Sequence, residues 1–120
     1  MERLSILVVD DEQGIRDVME ELFVSEGHRV ACAVNGVEAV ARAAGGGVDI
    51  VFMDIRMPKG DGLTALKEIK SLWPSMPVII MTGYHSNEMT AKAQALGADA
   101  CLLKPFNLND ALAMLDLCRS

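Results

Sequence analysis

Residues 48–58 read Val-Asp-Ile-Val-Phe-Met-Asp-Ile-Arg-Met-Pro, and this stretch decides how the rest of the chain folds. The run is short, apolar and rich in β-branched residues, and Pro58 closes it, which is typical of a strand buried on both faces of a parallel sheet. Ligands of open parallel sheets bind beyond the carboxyl ends of the strands, so Asp54 is a candidate functional residue. An Asp also caps the turn after many strands, and this position alone leaves both interpretations open.

The composition limits the class of protein. The chain has 120 residues, 51% of them hydrophobic and 23% charged, so we expect residues 1–120 to form one domain. A net charge of −6 argues against a nonspecific nucleic-acid surface, which needs clustered lysines and arginines. We find no signal segment or membrane span and expect a cytoplasmic location. The three cysteines, Cys32, Cys101 and Cys118, match no zinc or redox spacing and are predicted to be reduced packing residues.

Four further apolar segments alternate with helical patterns. The predicted strands are residues 5–9, 29–34, 77–82 and 100–103. Helices are predicted over 12–26, over 37–44 after an Asn35-Gly36 turn, over 63–73, from an N-cap at Ser86 to 96, and after a capping box formed by Asn107 and Asp110. Their predicted inward residues include Ile15, Val18, Met19, Leu22, Phe23, Leu63, Leu66, Ile69, Leu72, Trp73, Leu108, Ala111, Leu112 and Leu115. The alternation predicts an α/β fold, a doubly wound parallel sheet with helices on both faces.

Polar residues stand at the carboxyl ends of four of these strands. They are Asp10 and Asp11, Asp54, Thr82 and Lys104. Right-handed crossovers place these ends on one rim of the sheet. Two carboxylates 5 Å apart repel by roughly 3 kcal/mol at an effective dielectric of 20, so a cation should share the pocket.

Carboxylate oxygens without imidazole or thiolate neighbours favour Mg²⁺, which completes its coordination with water and phosphate oxygens. The pocket is therefore predicted to handle a phosphoryl group. A carboxylate can act as the nucleophile in such a transfer, and Asp54 is the best placed. Lys104 would hold one phosphoryl oxygen, and Thr82 would donate a hydrogen bond to another.

The chain resembles the response-regulator receiver domains of bacterial two-component signalling, which are CheY-like. The resemblance covers essentially the whole chain, and it rests on the acidic pair in residues 8–12, the phosphoacceptor segment 53–62, the hydroxyl of 81–83 and the lysine of 104–106. It implies a flavodoxin-like (βα)5 sandwich with strand order 2-1-3-4-5 and a cis bond before Pro105. It also implies that Asp54 accepts a phosphoryl group from a sensor histidine kinase or a histidine phosphotransfer protein. Mg²⁺ would be bound by Asp11, Asp54 and the Arg56 carbonyl, with Asp10 acting through water.

The same resemblance implies an output surface around the fourth helix, the fifth strand and the fifth helix. Thr82, position 101 and Phe106 would change there on phosphorylation and signal to an output domain or a target protein. This chain has Cys101 where receivers usually carry an aromatic residue or His, and a small side chain there cannot swing between a buried and an exposed position as the aromatic ring does. A homodimer through the last two helices is a further hypothesis, motivated by the small Cys101 edge.

Three other functions fit the sequence less well. A metal-dependent aspartyl phosphatase would need a second Asp two positions after the nucleophile, where this chain has Arg56. A nucleotide-binding fold would need a glycine-rich first loop. A receiver that binds partners without phosphorylation would typically lack one of the rim residues, and all five are present. His28 and His85 are predicted to face solvent.

Overall fold

A computed structural model describes residues 3–57, 62–83 and 87–118. Five strands and five helices alternate along the chain, and a short 3₁₀ helix follows them. The strands are β1 (Ser5–Val9), β2 (Arg29–Ala33), β3 (Ile50–Asp54), β4 (Val78–Thr82) and β5 (Ala100–Leu103). The helices are α1 (Gln13–Ser25), α2 (Gly36–Ala44), α3 (Gly62–Leu72), α4 (Asn87–Ala95), α5 (Leu108–Ala113) and the 3₁₀ helix Met114–Cys118.

The five strands form one parallel sheet in the order β2-β1-β3-β4-β5. The predicted doubly wound fold and its strand order are therefore confirmed. β3 is the middle strand, and all five of its residues are buried, as expected for a strand covered on both faces. The register sets Val9 beside Met53 and Asp54 beside Met81, so the carboxyl ends of β1, β3 and β4 lie at one rim.

Alternate residues of the strands enter two separate cores. On one face, Leu7 and Met53 pack with Leu66 of α3 and Ala93 of α4. On the other face, Val8 and Phe52 pack with residues of α1 and the carboxyl-terminal helices, among them Phe23, Ala111 and Leu115. The rings of Phe23 and Phe52 have centroids 5.1 Å apart. The sheet is thus fixed from both sides, which holds its rim in place.

Three of the predicted inward residues are wrong. Val18, Leu72 and Leu108 expose 48%, 56% and 42% of their surface. Val18 lies at the margin of the buried face of α1, whose buried residues are Met19 and Phe23. Leu72 is the last residue of α3 and Leu108 the first of α5, so each projects past the edge of the core.

Two predicted turn motifs differ in detail. Asn35 is the N-cap of α2 and not part of a separate turn, because its Oδ1 accepts a hydrogen bond from Glu38 N at 2.8 Å. Asn107 caps α5 as predicted, but its Oδ1 accepts from Asn109 N at 2.7 Å. The Asp110 N–H instead bonds to the main-chain oxygen of Asn107, so the capping box is not formed as predicted.

His28 does not face solvent, and that prediction is wrong. The residue is only 6% exposed, and its Nδ1 accepts a hydrogen bond from Leu4 N at 3.0 Å. The ring turns inward because it satisfies the main-chain N–H of Leu4, the residue just before β1. Pro58, the predicted cap Ser86, and His85 lie outside the described residues.

The start of α3 lies directly against the end of β3. A Cβ atom added to Gly62 would overlap the Asp54 carbonyl oxygen and lie 2.6 Å from Ile55 Cα. The Gly62 N–H donates to the Ile55 carbonyl at 3.1 Å. Only glycine permits this approach, so Gly62 sets the backbone that carries Asp54. In the described part of the chain, each helix is too short or too polar to cross a membrane.

Candidate functional site

The predicted rim residues meet at the carboxyl end of the sheet. Asp10 directly follows β1 and Lys104 directly follows β5, while Asp54 and Thr82 are the last residues of β3 and β4. Asp10, Asp54 and Thr82 are buried, with 0%, 5% and 2% of their surface exposed. Asp11 is exposed beside them. The parallel fold thus gathers charged side chains that are up to 94 residues apart in sequence.

The Lys104 ammonium lies at the centre of this group. Its Nζ is 2.6 Å from Asp10 Oδ2 and 3.3 Å from Asp54 Oδ2, and 3.8 Å from Glu12 Oε1. The lysine side chain is only 14% exposed. A largely buried ammonium therefore offsets part of the negative charge of the two buried carboxylates.

Main-chain donors fix the remaining carboxylate oxygens. Asp54 Oδ1 accepts a hydrogen bond from Arg56 N at 3.0 Å, and Asp10 Oδ1 accepts from Glu12 N at 2.9 Å. Each carboxylate is thus held between a backbone N–H two residues ahead and Lys104. This arrangement orients one oxygen of each acid toward the same point.

Thr82 is linked to the lysine through the main chain. The Lys104 N–H donates to the Thr82 carbonyl at 2.7 Å, which extends the pairing of β4 and β5 by one residue. This hydrogen bond joins the backbone of Thr82 directly to that of Lys104. The Lys104–Pro105 bond is cis, as the resemblance implied.

The donor set fits a hard divalent cation. One carboxylate oxygen from each of Asp10, Asp11, Glu12 and Asp54 lies within 4.8 Å of the other three. Oxygen donors without nitrogen or sulfur are those that Mg²⁺ prefers. Glu12 was not predicted as part of this cluster, and the predicted Arg56 carbonyl stays a prediction.

The sequence matches the response regulator receiver domain family over residues 6–116. The chain belongs to this family. Among curated relatives, the receiver domain is 42% identical over 105 residues to Regulatory protein AtoC of Escherichia coli K12, covering 88% of this chain and 23% of that protein. It is 39% identical over 116 residues to the DNA-binding transcriptional regulator NtrC of Salmonella typhimurium, covering 97% of this chain and 25% of that protein. The chain thus spans about a quarter of the length of these relatives.

Solved structures agree with this assignment. A CheY-like receiver domain protein from Methanospirillum hungatei superposes with a TM-score of 0.91 at 31% identity, covering 96% of this chain and 92% of that one. The chemotaxis protein CheY4 of Vibrio cholerae gives 0.89 at 30% identity, covering 96% and 98%. NtrX from Brucella abortus gives 0.88 at 32% identity, and the match covers 98% of this receiver domain but 28% of that chain.

Burial and charge shift the pKa values of the two central groups. Burial raises the pKa of Asp54, and the repulsion from Asp10 adds to this effect, while Arg56 N–H and Lys104 only partly oppose it. Burial alone would lower the pKa of Lys104, but the hydrogen bond to Asp10 and the charges of both carboxylates raise it above 10.5. The lysine therefore stays charged in the metal-free receiver at neutral pH.

Asp54→Asn is expected to stabilise the receiver in EDTA at pH 7. Because the folded-state pKa of Asp54 is raised above 3.8, the folded state favours the protonated carboxyl. This stabilisation is fully present below pH 3.8 and is lost as the pH rises through the folded-state pKa, whereas Asn is uncharged at every pH. The advantage of the variant should therefore shrink as the pH falls toward 4. Urea unfolding at several pH values measures it, with the exposed Asp17→Asn as control. Equal stability at pH 7 would contradict the expectation.

The predicted switch residues lie on opposite sides of the sheet edge. Cys101 is half-buried and packs against the core under α3 and α4, whereas Phe106 packs against the core under α1 and α5. Burial raises the pKa of the Cys101 thiol above 9.0, which keeps the thiol protonated. Both residues border a cavity of about 520 Å³ between β5 and α5.

Two polar residues at the site were missed from the sequence. Glu12 directly follows the acidic pair but was assigned only to the start of α1. Arg16 donates from Nη1 to the Asp10 carbonyl at 2.7 Å. A signal for Arg16 exists in the sequence, since a cation in the first turn of a helix opposes the helix dipole, and a contact outside the helix would offset that cost.

Proposed function

We propose that this receiver domain accepts a phosphoryl group on Asp54 and signals through a changed surface. The main support is the buried Asp54 carboxylate, which is held between the Arg56 N–H and the Lys104 ammonium and lies beside three further acids. A carboxylate desolvated and oriented in this way is suited to nucleophilic attack once the local charge is neutralised.

In the proposed reaction, an Asp54 carboxylate oxygen attacks the phosphorus of a phosphohistidine. The new P–O bond forms as the P–N bond breaks. The electron pair of the P–N bond stays on the imidazole nitrogen, which takes up a proton from solvent. Asp11, Asp54 and the Arg56 carbonyl would hold Mg²⁺, with Asp10 acting through water, and the bound cation would neutralise charge on the phosphoryl oxygens. Lys104 would contact one of these oxygens, and Thr82 would donate a hydrogen bond to another.

The proposed output follows from the link between Lys104 and Thr82. Contacts from these residues to the phosphoryl group would shift the end of β4 and the start of the β5–α5 connection. The surface that includes Cys101 and Phe106 would change with them. We propose as partners a sensor histidine kinase or histidine phosphotransfer protein in the bacterial cytoplasm, and an output domain, a target or a second copy of the chain. This domain itself would bind neither nucleic acid nor membrane.

The alternatives are less well supported. An aspartyl phosphatase would need an acid where Arg56 stands, and Arg56 contributes its main-chain N–H to Asp54. Placing two carboxylates and an ammonium together in a largely buried site is energetically costly. A module that only binds partners would have no use for such a cluster.

Intact mass spectrometry tests the proposal. The wild type is incubated with acetyl phosphate or with phosphoramidate, whose P–N bond resembles that of phosphohistidine. We expect one phosphoryl adduct in Mg²⁺ and none in EDTA, an adduct on the control Asp17→Asn, and none on Asp54→Asn. An adduct that persists on Asp54→Asn, or no adduct on the wild type with either donor, would overturn the proposal.

A further inference from the structure

Arg16 occupies an unfavourable place in its own helix. It lies in the first turn of α1, where its N–H bonds to the Glu12 carbonyl at 3.2 Å. No acidic residue lies in that turn, and the N-cap Glu12 makes no side-chain cap hydrogen bond. A cation near a helix amino terminus opposes the helix dipole, so the charge of Arg16 does not stabilise α1. Its role must come from a contact outside the helix.

That contact is the main chain of Asp10. The partly buried Arg16 Nη1 donates to the Asp10 carbonyl oxygen at 2.7 Å. The other polar atoms of Asp10 are also bonded, its N–H to Ala33 O at 3.1 Å and its carboxylate oxygens to Glu12 N and Lys104 Nζ. With the Arg16 bond, every polar atom of Asp10 has a hydrogen-bond partner, and Arg16 fixes the direction of the Asp10 carbonyl.

The carbonyl of Asp10 and the nitrogen of Asp11 belong to one rigid peptide plane. Asp11 is exposed, and no hydrogen bond or ion pair joins its carboxylate to another residue in 3–57, 62–83 or 87–118. One of its oxygens nevertheless lies within 4.8 Å of those of Asp10, Glu12 and Asp54. Among these described residues, the main chain is therefore what directs this side chain toward the cluster.

We propose that Arg16 is a positioning residue of the cation site. By holding the Asp10–Asp11 peptide plane, it keeps the Asp11 carboxylate directed at the other acids. The inference rests on the proposed function, because it concerns the affinity of the same site for Mg²⁺. Positioning and charge act in opposite directions, since the guanidinium itself repels a divalent cation. Removal of Arg16 must therefore weaken Mg²⁺ binding if positioning dominates and strengthen it if charge dominates.

An NMR titration of the ¹⁵N-labelled chain with MgCl₂ distinguishes these outcomes. We expect Arg16→Met to raise the Mg²⁺ dissociation constant about tenfold, as for other residues that orient metal ligands. Arg16→Lys keeps the charge and a donor on a long side chain, and should stay within about threefold of the wild type. Arg42→Met removes the same charge from the exposed end of α2 and should change the constant less than twofold.

Tighter or unchanged Mg²⁺ binding by Arg16→Met would overturn the inference and leave the proposed function intact. A wild type without saturable Mg²⁺ shifts would overturn both. If the Arg16→Met spectrum is not that of a folded protein, Arg16→Gln replaces it, since this variant keeps a donor on a shorter, uncharged side chain. The same loss of affinity is expected for that variant, and an unchanged constant would again refute the role.

Discussion

Lys104→Met is expected to lower the free energy of unfolding of the metal-free receiver by about 3–5 kcal/mol at pH 7. The substitution keeps an apolar stem of similar length and removes the ammonium that lies 2.6 Å from Asp10 Oδ2 and 3.3 Å from Asp54 Oδ2. Asp10 is fully buried, so its carboxylate would be left without a compensating charge. Urea unfolding in EDTA measures the loss.

Mg²⁺ should reverse much of this loss. The variant keeps all four acids of the cluster, so added cation should stabilise it more than it stabilises the wild type, in which Lys104 already supplies positive charge. Lys92→Met is the matched control, because Lys92 pairs at 3.5 Å with Glu88 on an exposed face of α4, and such pairs contribute about 0.3–0.5 kcal/mol. The account is wrong if the Lys104 variant unfolds in EDTA at the same urea concentration as the wild type.

Gly62→Ala is expected to cost about 1–3 kcal/mol of stability and to disturb Asp54, the proposed phosphoacceptor. The added Cβ would overlap the Asp54 carbonyl oxygen and crowd Ile55 Cα, both of which are main-chain atoms. Relief requires α3 to move away from β3 or the backbone at Asp54 to shift. We therefore expect slower phosphorylation by acetyl phosphate in addition to a lower unfolding midpoint.

Gly14→Ala provides the comparison for that substitution. Gly14 lies in α1, and a Cβ added there would meet no heavy atom within 4 Å. The same change in residue type should raise stability by up to about 1 kcal/mol, because alanine loses less backbone entropy in a helix. Opposite signs for the two glycines, measured by urea unfolding, would support the crowding argument, and equal effects would refute it.

The sequence predicts the fold and most of the site for a simple reason. An apolar run that ends in a polar residue shows both that a strand is present and where its carboxyl end lies, so Asp54, Thr82 and Lys104 could be assigned to one rim. The strand order required the family resemblance in addition. These predictions depend on backbone topology, which hydrophobic patterning determines well.

Predictions that depend on side-chain direction were less successful. His28 follows a helix and a glycine, a position typical of an exposed residue, yet its ring satisfies the buried main-chain donor of Leu4, just before β1. Arg16 reaches back across the loop to Asp10, and Leu72 extends beyond the core although it continues the helical stripe. The direction of these side chains depends on the positions of helices and strands that are distant in sequence, and local sequence patterns do not show those positions.

The lysine that completes the site comes from the opposite end of the chain. Lys104 is 94 residues from Asp10 and 50 from Asp54, and it follows β5, an edge strand. Any local opening that releases β5 also takes the ammonium away from the acids. A cation that replaced this charge would make the opening less costly, so occupancy of the proposed cation site and hydrogen exchange of the β5 amides would be linked. Hydrogen exchange of the β5 amides would thus report the charge state of the acidic loop that follows β1.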